Sequence, residues 1–337
     1  MAAGMVVGRE GAKQRLALGY DNFAVRAMGW KSRQLIDHAV KLKVDTVFIT
    51  DLDAFESLDE NHLKGVRKYA DEKGIRVYLG TWSVCPTSLT FRKKWGTAEE
   101  HLRTGLKAAK ALGSPVLRVV LGKGADRLTE GGIEARIDDT VKVLKKVKGM
   151  CEELEVKVAM ENHAGDMHSL ELASLVEKAG PGYVGVNLDA GNAVWTFETP
   201  ISNLENLGKY VLTTSLRDTR IWPSENGATM QWVAMGEGMV DWKLYFKRFA
   251  ELCPEAPVQI ETISGFNREM AFKKEEFWKA WPKGKPAGFK DFEAWTKSGK
   301  PMKPRRQNSK EETQKFQLAD IEKSIAYCKS IGLGLKG

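Results

Sequence analysis

Nowhere in its 337 residues does the chain carry an apolar run approaching the ~20 that a membrane-spanning helix needs, which excludes a helical membrane protein and leaves no membrane partner. Its four cysteines, Cys85, Cys151, Cys253 and Cys328, are scattered with no Cys-x-x-Cys pair, and they read as free thiols of a reducing cytoplasm. No Gly-x-Gly-x-x-Gly turn follows the first strand-like run, which argues against an open, doubly wound nucleotide-binding sheet. The start, Met1 to Glu10, lacks a long apolar core and a leading positive cluster, so no secretory signal is expected. An acidic excess is missing too. The net charge is +8, and the 12 Lys or Arg against 4 Asp or Glu between Lys273 and Lys310 account for all of it. Such a segment can meet nucleic acid or an acidic partner, or be a solvated insertion. The rest of the chain is balanced and shows no polyanion footprint, so an insertion over 268–310 is expected, with no nucleic-acid partner.

What is present is a steady rhythm. Strand-like runs begin near Leu16, Asp45, Arg76, Val116, Val156, Val184, Val211 and Pro257. One strand and its crossover helix take about 30 residues, so eight units fit. Between them lie apolar stripes at helical spacing over Ser32–Leu42, Thr97–Leu112, Ala135–Leu154, Ser169–Ala179, Asp241–Leu252 and Glu311–Ile331. Thr97-Ala-Glu-Glu100 has the form of a capping box. The fold class expected is α/β, a (β/α)8 TIM barrel in a single domain spanning 1–337, with the basic insertion between the eighth strand and the last helix. Two stretches break the beat: Trp222–Gly238, read as a loop with a short hairpin at Asn226-Gly, and Gly265–Lys310. Both fall on the substrate face of such a barrel, as lids or interface arms.

Four runs end in polar groups: Val158-Ala-Met-Glu161-Asn-His163, Val186-Asn-Leu-Asp189-Ala-Gly-Asn192, Leu212-Thr-Thr-Ser215-Leu-Arg217-Asp218 and Val258-Gln259-Ile-Glu261. Carboxylates at the carboxyl ends of successive parallel strands are what a divalent cation site on a barrel requires. These runs, with Gly236-Glu-Gly-Met-Val-Asp-Trp242, resemble the xylose isomerase-like sugar phosphate isomerase/epimerase superfamily in order and approximate spacing over Leu16 to Phe266. The resemblance implies one divalent ion held by Glu161, Asp189 and Glu261. Its fourth position, usually a His, is Ser215 here, and Gln231 is the candidate for a further oxygen ligand. An oxygen-dominated shell suits Mg or Mn, with Co or Zn as alternatives. It also implies Glu161 and Glu261 as the proton-moving pair, with His163, Asn192, Arg217, Arg118 and Gln259 around the substrate. Each has a plainer reading: Asn192 as a helix cap, Arg217 as partner of Asp218 or Asp189, Arg118 as partner of a buried carboxylate. Trp82, Trp195 and Trp232 line a sugar or pack in the core. His38, His62, His101 and His168 read as surface residues.

The function this implies is metal-dependent isomerisation or epimerisation of a small keto-sugar or sugar acid through an enediolate. The alternative is a metal-dependent lyase or decarboxylase of an oxo-sugar acid, which Arg217 suits because a guanidinium pairs well with a carboxylate. An abasic-site endonuclease needs a multi-zinc site rich in histidine, and the chain has only five. A sugar-binding protein without catalysis is the remaining class. Pairing with a second copy stays open.

Overall fold

The computed structural model describes residues 15–336, so the reading of Met1 to Glu10 lies outside the described residues. Strands and helices alternate: β1 (Leu18–Asp21), α1 (Ser32–Leu42), β2 (Thr46–Ile49), α2 (Glu60–Glu72), β3 (Arg76–Ser83), α3 (Ala98–Leu112) and β4 (Val116–Val120). Next come α4 (Gly132–Lys146), α5 (Lys148–Leu154), β5 (Lys157–Glu161), α6 (Ser169–Ala179), β6 (Val184–Leu188), α7 (Pro200–Leu207) and β7 (Val211–Thr214). A hairpin of β8 (Asp218–Ser224) and β9 (Gly227–Val233) precedes α8 (Trp242–Leu252) and β10 (Val258–Ile260). Then follow β11 (Asn267–Met270), α9 (Phe289–Lys297) and α10 (Lys310–Ser330).

The main sheet runs β10-β1-β2-β3-β4-β5-β6-β7, parallel throughout. Runs such as Thr46-Val-Phe-Ile49 are buried along their whole length, as a parallel strand covered on both faces must be. The seam between β7 and β10 is closed by one residue beyond β7. Leu216 N–H donates to the Gln259 carbonyl (2.8 Å), and its own carbonyl accepts from Glu261 N–H (2.9 Å). Eight parallel strands in a nearly closed barrel with helices between them are what the rhythm predicts. The capping box forms: Thr97 N–H donates to Glu100 Oε2 (2.7 Å) and Glu100 N–H to Thr97 Oγ1 (3.2 Å).

Three expectations need correction. The stretch Trp222–Gly238 is not mainly loop, because the hairpin begins at Asp218 and pairs seven residues on each strand, with β11 added antiparallel at its edge. The basic insertion is not a solvated arm either. It brings Met270, Phe272, Trp281, Phe289 and Phe292 into a second apolar core with Val194, Phe197, Ile221, Met230 and Trp232. Its lysines lie outside while its aromatics pack inward, and a net charge hides that division. The third correction concerns histidine. His38, His101 and His168 are buried. His38 packs against Tyr20 and Trp30, His101 bonds Thr81 Oγ1 (2.7 Å), and His168 Nδ1 caps α6 through the Leu170 N–H (3.2 Å).

Candidate active site

The carboxyl ends of the strands surround a cavity of about 320 Å³ lined by Arg118, Glu161, His163, Asn192, Arg217 and Glu261, with Trp82 and Trp232 in its walls. Glu161 closes β5, Asp189 follows β6, Arg217 follows β7 and Glu261 follows β10. Each polar residue ends an apolar run because the barrel's side-chain layers stop there and the open face begins. All four are nearly or wholly buried.

A connected polar network holds them. Arg118, in the middle of β4, reaches up so that its Nε donates to Glu161 Oε2 (2.5 Å), while Asn187 Nδ2 donates to the same oxygen (2.9 Å). Asn192 Nδ2 bridges Glu161 Oε1 (3.2 Å) and Asp189 Oδ2 (2.6 Å). Arg217 Nη2 donates to both Asp189 Oδ2 and Glu261 Oε2. Arg217 therefore partners Asp189 and not Asp218, whose carboxylate instead takes the N–H groups of Thr219, Gly236 and Gly238. The Arg217 guanidinium lies 4.4 Å over the Trp232 ring, and it passes where a Cβ on Gly191 would stand 2.1 Å from its Cγ. Gly191 is needed there for that close approach alone.

Burial would raise the proton affinity of Glu161, but the Arg118 and Arg217 guanidiniums hold this carboxyl below its ordinary value. For Glu261 burial prevails over Arg217, and repulsion from Glu161 adds to it, so this carboxyl is raised. His163 is pushed down by burial despite the pull of Glu161, and so is neutral. Its Nδ1 lies 2.6 Å from the Gly122 carbonyl, an acceptor, so Nδ1 carries the hydrogen and Nε2 offers a lone pair.

Two sequence candidates are not brought to the cavity. Gln259 spends its amide lower in the barrel, accepting from Thr46 Oγ1 (3.1 Å) and donating to Thr213 Oγ1 (2.9 Å). Gln231 lies in the small sheet, where its Nε2 donates to Asn267 Oδ1 (2.6 Å) and the Lys303 carbonyl (3.2 Å). Sequence reasoning missed Asp21, which ends β1 as Glu161 ends β5 and accepts from Ser215 Oγ (3.0 Å). It also missed Phe23, Arg26, Phe266 and Arg268 at the cavity's rim. They follow no barrel-strand periodicity, because Phe23 and Arg26 sit in a short 3-10 helix after β1, Phe266 in the loop after β10 and Arg268 on the added strand β11. Trp195 lies in an adjoining cavity of about 550 Å³ that shares Ala164, Trp232 and Arg268 with the first.

Asp189 Oδ2 and Glu161 Oε2 each already accept from two protein donors, and among the described residues no three His, Cys, Asp or Glu side chains are placed to share a metal. As arranged, these residues do not fit a metal ion.

Comparison with known proteins agrees with the fold. Residues 36–280 match the xylose isomerase-like TIM barrel family, and the chain belongs to it. A curated relative, the 3-oxo-isoapionate decarboxylase of Pectobacterium atrosepticum, is 24% identical over 196 residues, 58% of this chain and 64% of that protein. The chain thus matches just under two thirds of that relative's length. Among solved structures, a D-psicose 3-epimerase crystallised in the presence of D-fructose superposes with TM-score 0.61 at 12% identity, over 95% of this chain and all of that one. A xylose isomerase domain protein from Planctomyces limnophilus gives 0.57 at 18% identity, over 74% and 92%. The IolI protein with a bound zinc atom gives 0.56 at 16% identity, over 91% and 98%. These structural likenesses establish the fold and no more. Among the described residues no helix is long and apolar enough to cross a membrane.

Proposed function

We propose that the chain is an enzyme that moves a proton on the carbon beside the carbonyl of a small keto-sugar or sugar acid, isomerising or epimerising it through an enediolate. One observation carries this reading: two carboxyls face one cavity, and their surroundings push their proton affinities in opposite directions. Pairs separated in this way divide into base and acid. Glu161, held as carboxylate, takes the proton, and Glu261 returns one. Arg118 and Arg217 place positive charge where the enediolate oxygens develop, and the neutral His163 Nε2 accepts from a substrate hydroxyl. Trp82 and Trp232 offer flat faces to the sugar's C–H edges.

The rim favours a second reading, decarboxylation of an oxo-sugar acid. Arg26 and Arg268 line the mouth, and among the described residues neither is ion-paired to a carboxylate. A guanidinium left unpaired beside a cavity suits an anionic substrate group. In that reaction the bond to the substrate carboxylate breaks, its electron pair forms the same enediolate, and Glu261 protonates the carbon. The relative's name points the same way. A small sugar acid is the partner on either reading, and the four buried free cysteines fit a cytoplasmic enzyme. Incubation with keto-sugars and oxo-sugar acids in D2O separates the two readings. Deuterium entering recovered substrate or its epimer marks the first, CO2 release the second, and neither on a broad substrate panel removes both.

A further inference from the structure

Three carboxylates stand at strand ends where the family resemblance puts the ligands of a divalent ion, and a guanidinium already stands among them. Arg217 Nη2 donates to Asp189 and Glu261 together. Most of the other carboxylate oxygens accept protein donors as well. Asp189 Oδ1 accepts from the N–H groups of Gly191 (2.8 Å) and Asn192 (2.9 Å), and Asn192 Nδ2 occupies Asp189 Oδ2 and Glu161 Oε1. Arg118 and Asn187 fill Glu161 Oε2. Of the six oxygens on Glu161, Asp189 and Glu261, Glu261 Oε1 alone has no donor among the described residues. The resemblance expects a histidine at Ser215, and here Ser215 turns to Asp21 (3.0 Å) and Asn187 (3.2 Å). Arg217 is 3% exposed, lies against Trp232, and runs through the space that Gly191 leaves open. It is built into the site, not swung in from its edge.

We propose that the Arg217 guanidinium takes the place of the divalent ion, and that substrate oxygens are bound directly on it. The proposal rests on the enediolate reading above for the identity of the anion, and on geometry for the exclusion of the ion. When Glu161 takes the proton from carbon, the C–H electron pair becomes the new C=C bond. The carbonyl π pair moves onto the oxygen that faces Arg217. Nothing is oxidised, and the charge appears beside a cation that never loses its proton. Arg118 adds a second fixed charge from the next side of the cavity. A divalent ion and Arg217 exclude each other, because like charges a few ångströms apart in a buried site repel strongly.

The test is titration with Mn2+ alone, followed by electron paramagnetic resonance, in which the free aquo ion gives a signal that binding removes. Wild-type protein leaves the signal intact. Arg217→Ala releases Asp189 and Glu261, so it takes up one equivalent, at least about a hundredfold tighter than wild type. Arg217→Met, closer in volume, serves the same purpose if the alanine variant does not fold. One tight equivalent in the wild type, or folded variants that bind no better than wild type, overturns the proposal. Turnover separates it from the reading on which it rests. Deuterium wash-in or CO2 release that survives chelation supports the inference. Turnover that disappears on chelation and returns with Mn2+ sinks it and leaves the reaction standing. An absence of turnover with or without Mn2+ removes the reaction and leaves the titration to decide the place of Arg217.

Discussion

Glu161 and Glu261 are chemically the same side chain, and their surroundings alone give them opposite tasks. Arg118 and Arg217 lower the proton affinity of the first, while burial and the first carboxylate raise that of the second. The expected rate profile therefore has an acid limb below the ordinary carboxylate value, where Glu161 takes up a proton. Its alkaline limb lies above that value, where Glu261 loses one. Exchange data distinguish the roles more sharply than rates. Glu161→Gln should abolish both deuterium wash-in and product, a loss on the order of a hundredfold or more for a general base. Glu261→Gln should keep wash-in while losing the epimer. Equal loss of both signals in both variants would refute the division of labour. Gly191→Ala is the companion test at this scale. Its methyl would collide with the buried Arg217 side chain and with Trp232 Nε1 (2.9 Å), so kcat should fall sharply and stability by about 1–3 kcal/mol, and unchanged kcat in the folded variant counts against Arg217's role.

At the scale of elements, the strands and most helices were legible because two simple periods carry them: a buried apolar run closed by a polar residue, and a stripe at helical spacing. The carboxylates were legible for the same reason, since a barrel strand points its last side chain at the open face. What was not legible is what crosses between elements. Arg217 reads either as an anion-binding residue or as a partner of Asp218 or Asp189, and only the adjoining ends of β6, β7 and β10 show it gripping Asp189 and Glu261 together. Ser215 reads as a missing ligand, while the fold makes it a partner of Asp21, nearly two hundred residues away. The insertion shows the same limit, since 12 basic residues masked an aromatic core. Phe197, wholly buried, meets Phe272, Phe277, Trp278, Trp281, Phe289 and Phe292 at ring-centroid distances of 5.3 to 5.9 Å. Phe197→Ala should cost about 3–5 kcal/mol by denaturant unfolding. Because the insertion rests on that ring, proteolytic cleavage between Lys273 and Lys297 should quicken in the variant. A loss under about 1 kcal/mol would mean that the insertion holds itself in place.

For the molecule as a whole, the buried histidines tie acid stability to the packing of the barrel. Burial pushes His38 and His101 down to about 4, and one ring nitrogen of each lacks a hydrogen-bond partner among the described residues. Above about pH 6.5 neither ring is charged in either state, so neither contributes to pH dependence. As pH falls through that value, the unfolded chain takes up protons that the folded one refuses, and stability drops until the folded rings themselves titrate near 4. Buried carboxylates raised by the same desolvation act oppositely: their folded forms hold protons that the unfolded chain has released, so their contribution falls as pH rises. Asp166, raised to about 8, belongs to that set. Wild type alone therefore mixes two opposed slopes, and the contrast with a His38→Gln/His101→Gln variant isolates the rings. Between pH 6.5 and 4 the wild type should lose more unfolding free energy than the variant, and parallel curves would show that these two rings titrate as they do in the unfolded chain.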